Sequence, residues 1–472
     1  MEEKVLPAGE QGSSPQVRDT FTRAEVLALV STVKAETEKI NPVKIAERIL
    51  RENRIIYCAE SFYRYDAGCY RELDRTEVMK MIKLILGLEF SSWKAREVFA
   101  SLEAEAFLKT DDLNATDLLN VRNGLLDLRE FRLIPHTPDV YSSIQLSVNY
   151  NPDARCIRWE QMLWEVFRSD RYKVEALQEF FGLCLTRETK YEKSLFCLGE
   201  GANGKSVMLH VLQQLLGAEN YSAVMLEQLQ NFHYTADLFG KLANISLECN
   251  AKSSVYDSIF KAVVSGDPIQ ADAKYRKPFK FRPFCKLVFA LNNMPRVDDK
   301  TDAFFRRILL IRFTRQFAEA EQDKNLKTKL EAELDGIFLW SLEGLRRLRE
   351  RGHFNITEAM QAEVLNYRRQ NNNALLFVED ACDFVSSSTV LKDRLYVAYR
   401  QWCEENGCHP LSKIHFGKDL LKQHPELEEH RDAHGRYWMN IQLRPDVTVT
   451  EYDVNDAYPN PFLTDESVVE QG

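Results

Sequence analysis

The sequence predicts an α/β fold: a three-layer core preceded by a mixed α+β and helical region and followed by a small winged-helix-like module. Three observations carry this. Between about residues 194 and 345, short apolar runs alternate with segments of helical spacing, as in a sheet covered by helices on both faces. One run, SLFCL (194–198), leads directly into a glycine-rich loop and then an amphipathic stretch. Residues 375–444 read as three helices and a hairpin, an order that suits a winged helix.

Taken in order, residues 1–35 (beginning MEEKVLPAGEQGSSPQVRDT) read as a disordered or helical lead-in, without the basic start and apolar core of a secretion signal. Residues 36–190 open with a helix (PVKIAERILRENR) and a hairpin-like IIYCAESFYRYDAGCYREL. Further on, Asn123-Gly124 is a turn signal, and Trp159, Met162, Leu163, Val166 and Phe167 share one helical face. The layered α/β core is expected over 191–348, with a helix and linker over 349–374 that includes the polar run RRQNNNA. The module at 375–444 is followed by an acidic, flexible tail at 445–472.

The loop GEGANGKS (199–206) fits the phosphate-binding pattern GxxxxGK[ST]. Gly199, Glu200, Gly201, Ala202, Asn203 and Gly204 would curl backbone N–H groups around phosphate oxygens, at a helix N-terminus of partial positive charge. Lys205 would reach the β and γ phosphates of ATP, and the Ser206 hydroxyl would ligate Mg²⁺. Such a site needs an acid for the metal on a second strand. KLANISLECN (241–250) offers Glu248, forty-three residues after Lys205; the alternative is a solvent-exposed strand-end glutamate.

A third strand, CKLVFALNNMP (285–295), ends in Asn292-Asn293, either a water-orienting amide or a turn before Pro295. Arg306 and Arg307 precede a fourth strand, ILLIRF; one can stabilise a transferring phosphoryl group, or both are ordinary surface arginines.

Between the second and third strands lies AKYRKPFKFRPFCK (273–286), with Lys274, Arg276, Lys277, Lys280, Arg282 and Lys286 and no acid. Tyr275, Phe279, Phe281 and Phe284 are interleaved with them. Cations with aromatic faces suit single-stranded nucleic acid through phosphate neutralisation and base stacking; the alternative is a solvated hairpin whose aromatics pack inward. The net charge of −9 does not oppose this, because seven acids and no Lys or Arg lie from Asp446 onward, leaving the rest near −2.

The loop, NISLE, SGDPIQADAKYRKPFKF, FALNNMP and FFRRILLIRF together resemble the superfamily 3 helicases, nearest the phage, plasmid and poxvirus primase-helicase type. Four motifs stand in that family's order within about 110 residues, and the likeness covers roughly residues 45 to 445. The resemblance implies an AAA+ core with the 36–190 region as its collar. It implies a hexameric ring on single-stranded DNA, driven by ATP with Mg²⁺, in replication of a phage, plasmid or integrated element in a bacterial cytoplasm. By it, Lys205 and Ser206 hold nucleotide, Glu248 ligates Mg²⁺, and Asn292 is the sensor. Arg306 or Arg307 is a finger supplied to the neighbouring subunit, and Lys274 and Lys277 lie on a pore hairpin. Many relatives carry two adjacent acids where Glu248 is followed here by Cys249, so Glu248 does both jobs through water or the base comes from elsewhere.

In the terminal module Ser412 is a candidate N-cap, with Lys413, Lys418 and Lys422 near one another for duplex origin DNA; a protein-docking role is the alternative. The 190 residues before the motor show no compact Asp-x-Asp or His-based set, so primer synthesis is expected from a separate primase. An initiator that uses ATP only as an assembly switch is the alternative to a translocating helicase. No apolar run is long enough for a membrane span. Ten scattered cysteines, with only Cys403 near Cys408-His409, favour reduced thiols in a cytoplasm-like compartment over a metal site.

Overall fold

The computed structural model describes residues 41–247, 257–272, 277–295, 297, 302–433 and 435–449. The first described element is α1 (Pro42–Asn53), started by proline at its first turn and by the Asn41 side chain, which accepts from the Val43 N–H at 3.0 Å. Strands β1 (Ile55–Cys58), β2 (Ser61–Asp66) and β3 (Cys69–Leu73) then form an antiparallel meander. The expected hairpin is therefore a three-stranded sheet. Its second turn lies at Ala67-Gly68, both at positive φ. Helices α2 (Arg75–Leu86) and α3 (Ser92–Glu105) bury Val78, Ile82, Val98 and Phe99 against Ala46, Ile49 and Phe62. A second small sheet follows: β4 (Leu118–Val121), β5 (Gly124–Asp127) and β6 (Arg132–Ile134). Val121 pairs with Gly124, so the tight turn falls on Arg122-Asn123, one residue before the Asn-Gly signal.

Helices α4 (Ile157–Phe167) and α5 (Arg171–Cys184) lead to the central sheet. The α4 residues expected on one face, Trp159, Met162, Leu163, Val166 and Phe167, are all buried. The central elements are β7 (Ser194–Leu198), α6 (Lys205–Leu216), β8 (Tyr221–Ser222), α7 (Phe232–Thr235), β9 (Ala243–Ser246), α8 (Asp257–Ser265), the hairpin β10 (Ile269–Ala271) and β11 (Phe279–Phe281), β12 (Lys286–Leu291), α9 (Asp302–Phe305) and β13 (Ile308–Arg312). Five strands make one parallel sheet in the order β13-β7-β12-β9-β8, which is 5-1-4-3-2 by appearance in the chain. Strands β7 and β12 are buried at every position, as expected of parallel strands covered on both faces.

One face of the sheet is packed by α4, α5, α6, α10 (Leu326–Glu331) and α11 (Leu334–Arg351). The other is packed by α8, α9, the hairpin and Tyr367 of α12 (Glu358–Gln370). These are the three expected layers. Helices α5 and α11 are joined by fully buried Glu179, which accepts from Arg347 Nε at 2.9 Å and Arg351 Nη2 at 2.5 Å.

The polar run at 368–374 is ordered by its own side chains. Asn371 Oδ1 accepts from the Val297 N–H at 2.9 Å, and Asn372 caps α13 (Asn373–Ala381) through the Leu375 N–H at 3.2 Å. The terminal module adds β14 (Cys382–Asp383), β15 (Thr389–Leu391), α14 (Lys392–Glu405), α15 (Lys413–Gln423), β16 (Glu428–Arg431), β17 (Arg436–Met439) and β18 (Gln442–Leu443). Its core gathers Phe377, Leu395, Tyr399, Phe416 and Trp438, with Tyr399 and Phe416 stacked 4.3 Å apart. Three helices followed by a hairpin appear as expected. No helix among the described residues is long and apolar enough to cross a membrane.

Candidate active site

The glycine loop leaves the carboxyl end of β7, which lies between β13 and β12. Strand order reverses here, and ligands of open parallel sheets bind in the crevice at such a point. The loop is clamped by its neighbours. The Gly199 N–H donates to the Leu291 carbonyl at 3.0 Å, and the Phe317 N–H donates to the Ala202 carbonyl at 2.8 Å. Two of its glycines are demanded by space. A Cβ on Gly199 would lie 2.6 Å from the Phe313 carbonyl oxygen, and Gly204 has φ +86 with Val166 Cγ2 2.7 Å from where its Cβ would be.

Lys205 opens α6, and its ammonium bridges the carboxyl ends of two strands. Nζ donates to the Gly199 carbonyl at 2.5 Å, the Leu291 carbonyl at 2.8 Å and Asn292 Oδ1 at 3.1 Å. Burial pushes this amine below its ordinary value, with Cys197 acting the other way. Asn203 Oδ1 accepts from the Lys205 N–H at 3.2 Å, while Asn203 Nδ2 is buried without a hydrogen-bond partner. An orphaned donor inside a glycine loop fits an anionic oxygen. Ser206 is exposed in the first turn of α6, and Glu200 accepts from Gln316 Nε2 at 3.1 Å. Glu248 lies outside the described residues.

The two arginines differ sharply. Arg307 is buried: its guanidinium donates to the Ala303 carbonyl at 2.7 Å and Ser265 Oγ at 2.8 Å, and stands 3.1 Å from Glu192 Oε2. The Arg306 side chain is 58% exposed, with Glu192 3.6 Å away.

The basic stretch divides as well. Lys277, Lys280 and Arg282 are exposed, and Lys274, Arg276 and Tyr275 lie outside the described residues. Three of the aromatics expected to stack on bases pack inward instead. Phe279 and Phe281 each stand edge-on to Phe239 at 5.3 Å, and Phe284 is buried beneath the Arg187 guanidinium. For Phe279 and Phe281 the physical reason is the short antiparallel pairing of β10 with β11, which seats this strand on the core of the sheet. Lys286 is not a surface cation either. It is buried in β12, its amine donates to the Thr186 carbonyl and at 2.9 Å to the Phe284 carbonyl, and burial pushes it down to about 8.

In the terminal module, Lys413 is ion-paired with Asp393, and burial together with nearby Arg436 and Lys392 lowers its pKa. Lys418 and Lys422 are exposed on α15.

Sequence reasoning missed the segment after β13 that braces the loop. Phe313 N–H meets the Leu198 carbonyl at 2.7 Å, and Arg315 Nη1 donates to the Glu165 carbonyl at 3.0 Å. It also missed Glu192. Neither carries a motif, because each acts through contacts remote in sequence.

Fold and loop together define an α/β protein with a lysine and a glycine loop set at the carboxyl edge of a parallel sheet. Three family models match along the chain: "D5 N terminal like" over residues 44–168, a family of unknown function (DUF5906) over 197–307, and "Poxvirus D5 protein-like" over 369–460. The chain is 23% identical over 366 residues to "Putative helicase L207/L206" of Acanthamoeba polyphaga mimivirus, a match covering 71% of this chain and 38% of that protein. The match thus spans well under half of that relative's length. The solved C-terminal region of NrS-1, in its A form without ligand, is similar at TM-score 0.53 and 11% identity, over 86% of this chain and all of that one. At that identity the likeness is one of fold. The resemblance to helicases of the phage, plasmid and poxvirus primase-helicase type read from the sequence is supported by the D5 family matches on both sides of the glycine loop and by the helicase-named relative.

Proposed function

We propose that this chain is an ATP-dependent DNA helicase of the superfamily 3 type, a P-loop AAA+ motor that works as a hexameric ring on single-stranded DNA during replication of a mobile element. The observation that carries the reading is the Lys205 ammonium, held between the ends of β7 and β12 with Asn292 beside it. The 5-1-4-3-2 strand order supports it too, because that order opens a crevice where the loop leaves the sheet.

In this reading Lys205 exchanges carbonyl oxygens for phosphate oxygens when ATP binds, and the orphaned Asn203 amide donates to the same group. Ser206 and Glu248 would hold Mg²⁺, which when bound would neutralise phosphate charge. Asn292 orients the attacking water and reports the state of the γ-phosphate. Arg306 is the finger offered to the neighbouring subunit, because its guanidinium is more than half exposed while Arg307 is committed inside its own subunit.

Lys277, with Lys274 and Arg276, faces DNA in the pore through charge rather than stacking. The terminal module acts as a winged helix, with Lys418 of α15 toward duplex DNA. The ring works in the host cytoplasm beside a separate primase.

The test is ATP turnover and forked-DNA unwinding by the purified chain, imaged with ATP and single-stranded DNA. Rings with DNA-stimulated turnover that Lys205→Ala abolishes support the reading. A monomer whose turnover ignores DNA overturns it, and ATP-dependent assembly without strand separation leaves an initiator instead.

A further inference from the structure

Two arginines meet one carboxylate at the start of the strand that carries the nucleotide loop. Glu192 Oε2 is 3.1 Å from Arg307 Nη2 and 3.6 Å from Arg306 Nη2. The next two residues grip the same dipeptide through its backbone. Lys193 Nζ donates to the Arg306 carbonyl at 2.5 Å, and the Ser194 N–H and hydroxyl donate to the Arg307 carbonyl at 2.7 and 2.8 Å. Glu192 itself has φ +46, a left-handed conformation that a side chain adopts only where its surroundings fix it. Its N–H donates to the Thr189 carbonyl at 2.9 Å, closing the turn that aims the carboxylate at the arginines.

The carboxylate matters differently to its two partners. Without it, buried Arg307 keeps the Ala303 carbonyl and Ser265 hydroxyl. Arg306, more than half exposed, keeps no side-chain acceptor among the described residues. Glu192 is thus one of three partners of Arg307, whose other two are neutral, and the one side-chain partner of Arg306 among the described residues.

We propose that Glu192 is a positioning residue that holds the Arg306 guanidinium against its own subunit until the γ-phosphate on the neighbouring subunit competes for it. This rests on the reading of Arg306 as a finger acting across a subunit boundary. A phosphate group offers a guanidinium several charged oxygens in a fork, against one carboxylate oxygen at 3.6 Å, so the exchange favours phosphate once it is in reach. The holding pair is weak enough to break in each cycle, because it is largely exposed to solvent.

The experiment is steady-state ATP turnover of the full chain carrying Glu192→Gln, with and without single-stranded DNA. The amide preserves shape and removes charge. DNA-free kcat should rise by about two- to fivefold, the most an exposed pair of this kind is worth. KM for ATP should not change, and stimulation by DNA should fall by the same factor. Glu192→Asp should lie between wild type and the amide. The Glu192→Gln/Arg306→Ala double variant should turn over like Arg306→Ala alone, since the carboxylate acts through that arginine. Ser265→Ala removes an Arg307 acceptor only and should keep the wild-type ratio.

A DNA-free kcat equal to wild type in Glu192→Gln overturns the proposal, as does a kcat that falls with the melting midpoint. An Arg306→Ala chain with wild-type turnover overturns the finger reading itself, whatever Glu192 does.

Discussion

Lys205 Nζ stands 3.1 Å from Asn292 Oδ1, although the two residues are 87 positions apart, one opening α6 and the other just past the end of β12. The amide therefore touches the group expected to bind phosphate. Asn292→Ala removes a hydrogen bond to a charged amine, worth about a tenfold loss in kcat. Asn292→Asp places a carboxylate beside the ammonium and should raise KM, because the lysine then has a stronger competitor for phosphate. Turnover measured against ATP concentration separates the two effects, and a wild-type profile for both variants removes Asn292 from the site.

Arg306 and Arg307 are adjacent in sequence and opposite in consequence. Arg307→Ala leaves Ser265, Ala303 and Glu192 without their buried partner and should lower the melting midpoint by roughly 5–10 °C. Arg306→Ala should change stability by no more than about 0.5 kcal/mol while removing turnover. Mixing Arg306→Ala subunits with Lys205→Ala subunits should restore part of the activity, since an intact finger then meets an intact loop. No rescue in any mixing ratio argues for action within one subunit.

Phe279 and Phe281 pack edge-on to Phe239, so their loss should register as instability rather than as weaker DNA binding. Phe281→Ala should cost about 3–4 kcal/mol in denaturant unfolding, the usual cost of truncating a buried phenylalanine. Lys277→Ala should instead weaken single-strand affinity and reduce its salt dependence by about one ion. A Phe281→Ala chain that folds normally and loses only DNA affinity would return that ring to the base-stacking role.

The contrast marks what was legible in the sequence. Alternation of apolar runs and helices gave the layered core, and the glycine pattern located the loop, because both are local signals set by period and by backbone geometry. The strand ends at Leu198 and Leu291 follow from the same signals. Which face of the basic hairpin meets solvent was not legible, since alternation is unchanged by turning a strand over. Lys286 reads as one more cation in its stretch, yet its amine is buried and directed at two carbonyl oxygens. The asparagine run reads as a linker because its polarity is evident, whereas its use in capping α13 and meeting Val297 depends on partners distant in the fold.

Buried Lys286 gives a pH signature. Its pKa falls from 10.5 to about 8 by burial, so between those values the unfolded chain binds more protons than the folded one. Its contribution to stability therefore rises with pH through that window, by on the order of 3 kcal/mol in full. Buried thiols oppose it higher up: burial raises Cys184 and Cys285 from 9.0 to about 12, so stability is lost as unfolded thiols ionise above about 9. The clean interval is pH 8 to 9. There the wild type should gain stability relative to Lys286→Met, a difference readable by urea unfolding; parallel pH profiles would show that Lys286 does not titrate within the fold.

Gly204 joins backbone strain to a steric limit. Alanine at φ +86 costs roughly 1–2 kcal/mol, and its methyl would stand 2.7 Å from Val166 Cγ2. Val166 is buried in α4 and cannot move aside as a flexible surface chain would. Gly204→Ala should therefore displace the loop and weaken binding of a fluorescent ATP analogue by more than tenfold, about 1.4 kcal/mol. Val166→Ala alone should lower stability by about 2 kcal/mol and leave the loop in place. The double variant should recover part of the analogue affinity, because the steric conflict is relieved and only the left-handed backbone remains. Recovery to wild type would mean that the backbone conformation contributes nothing, and no recovery would mean that Val166 is not what limits the loop.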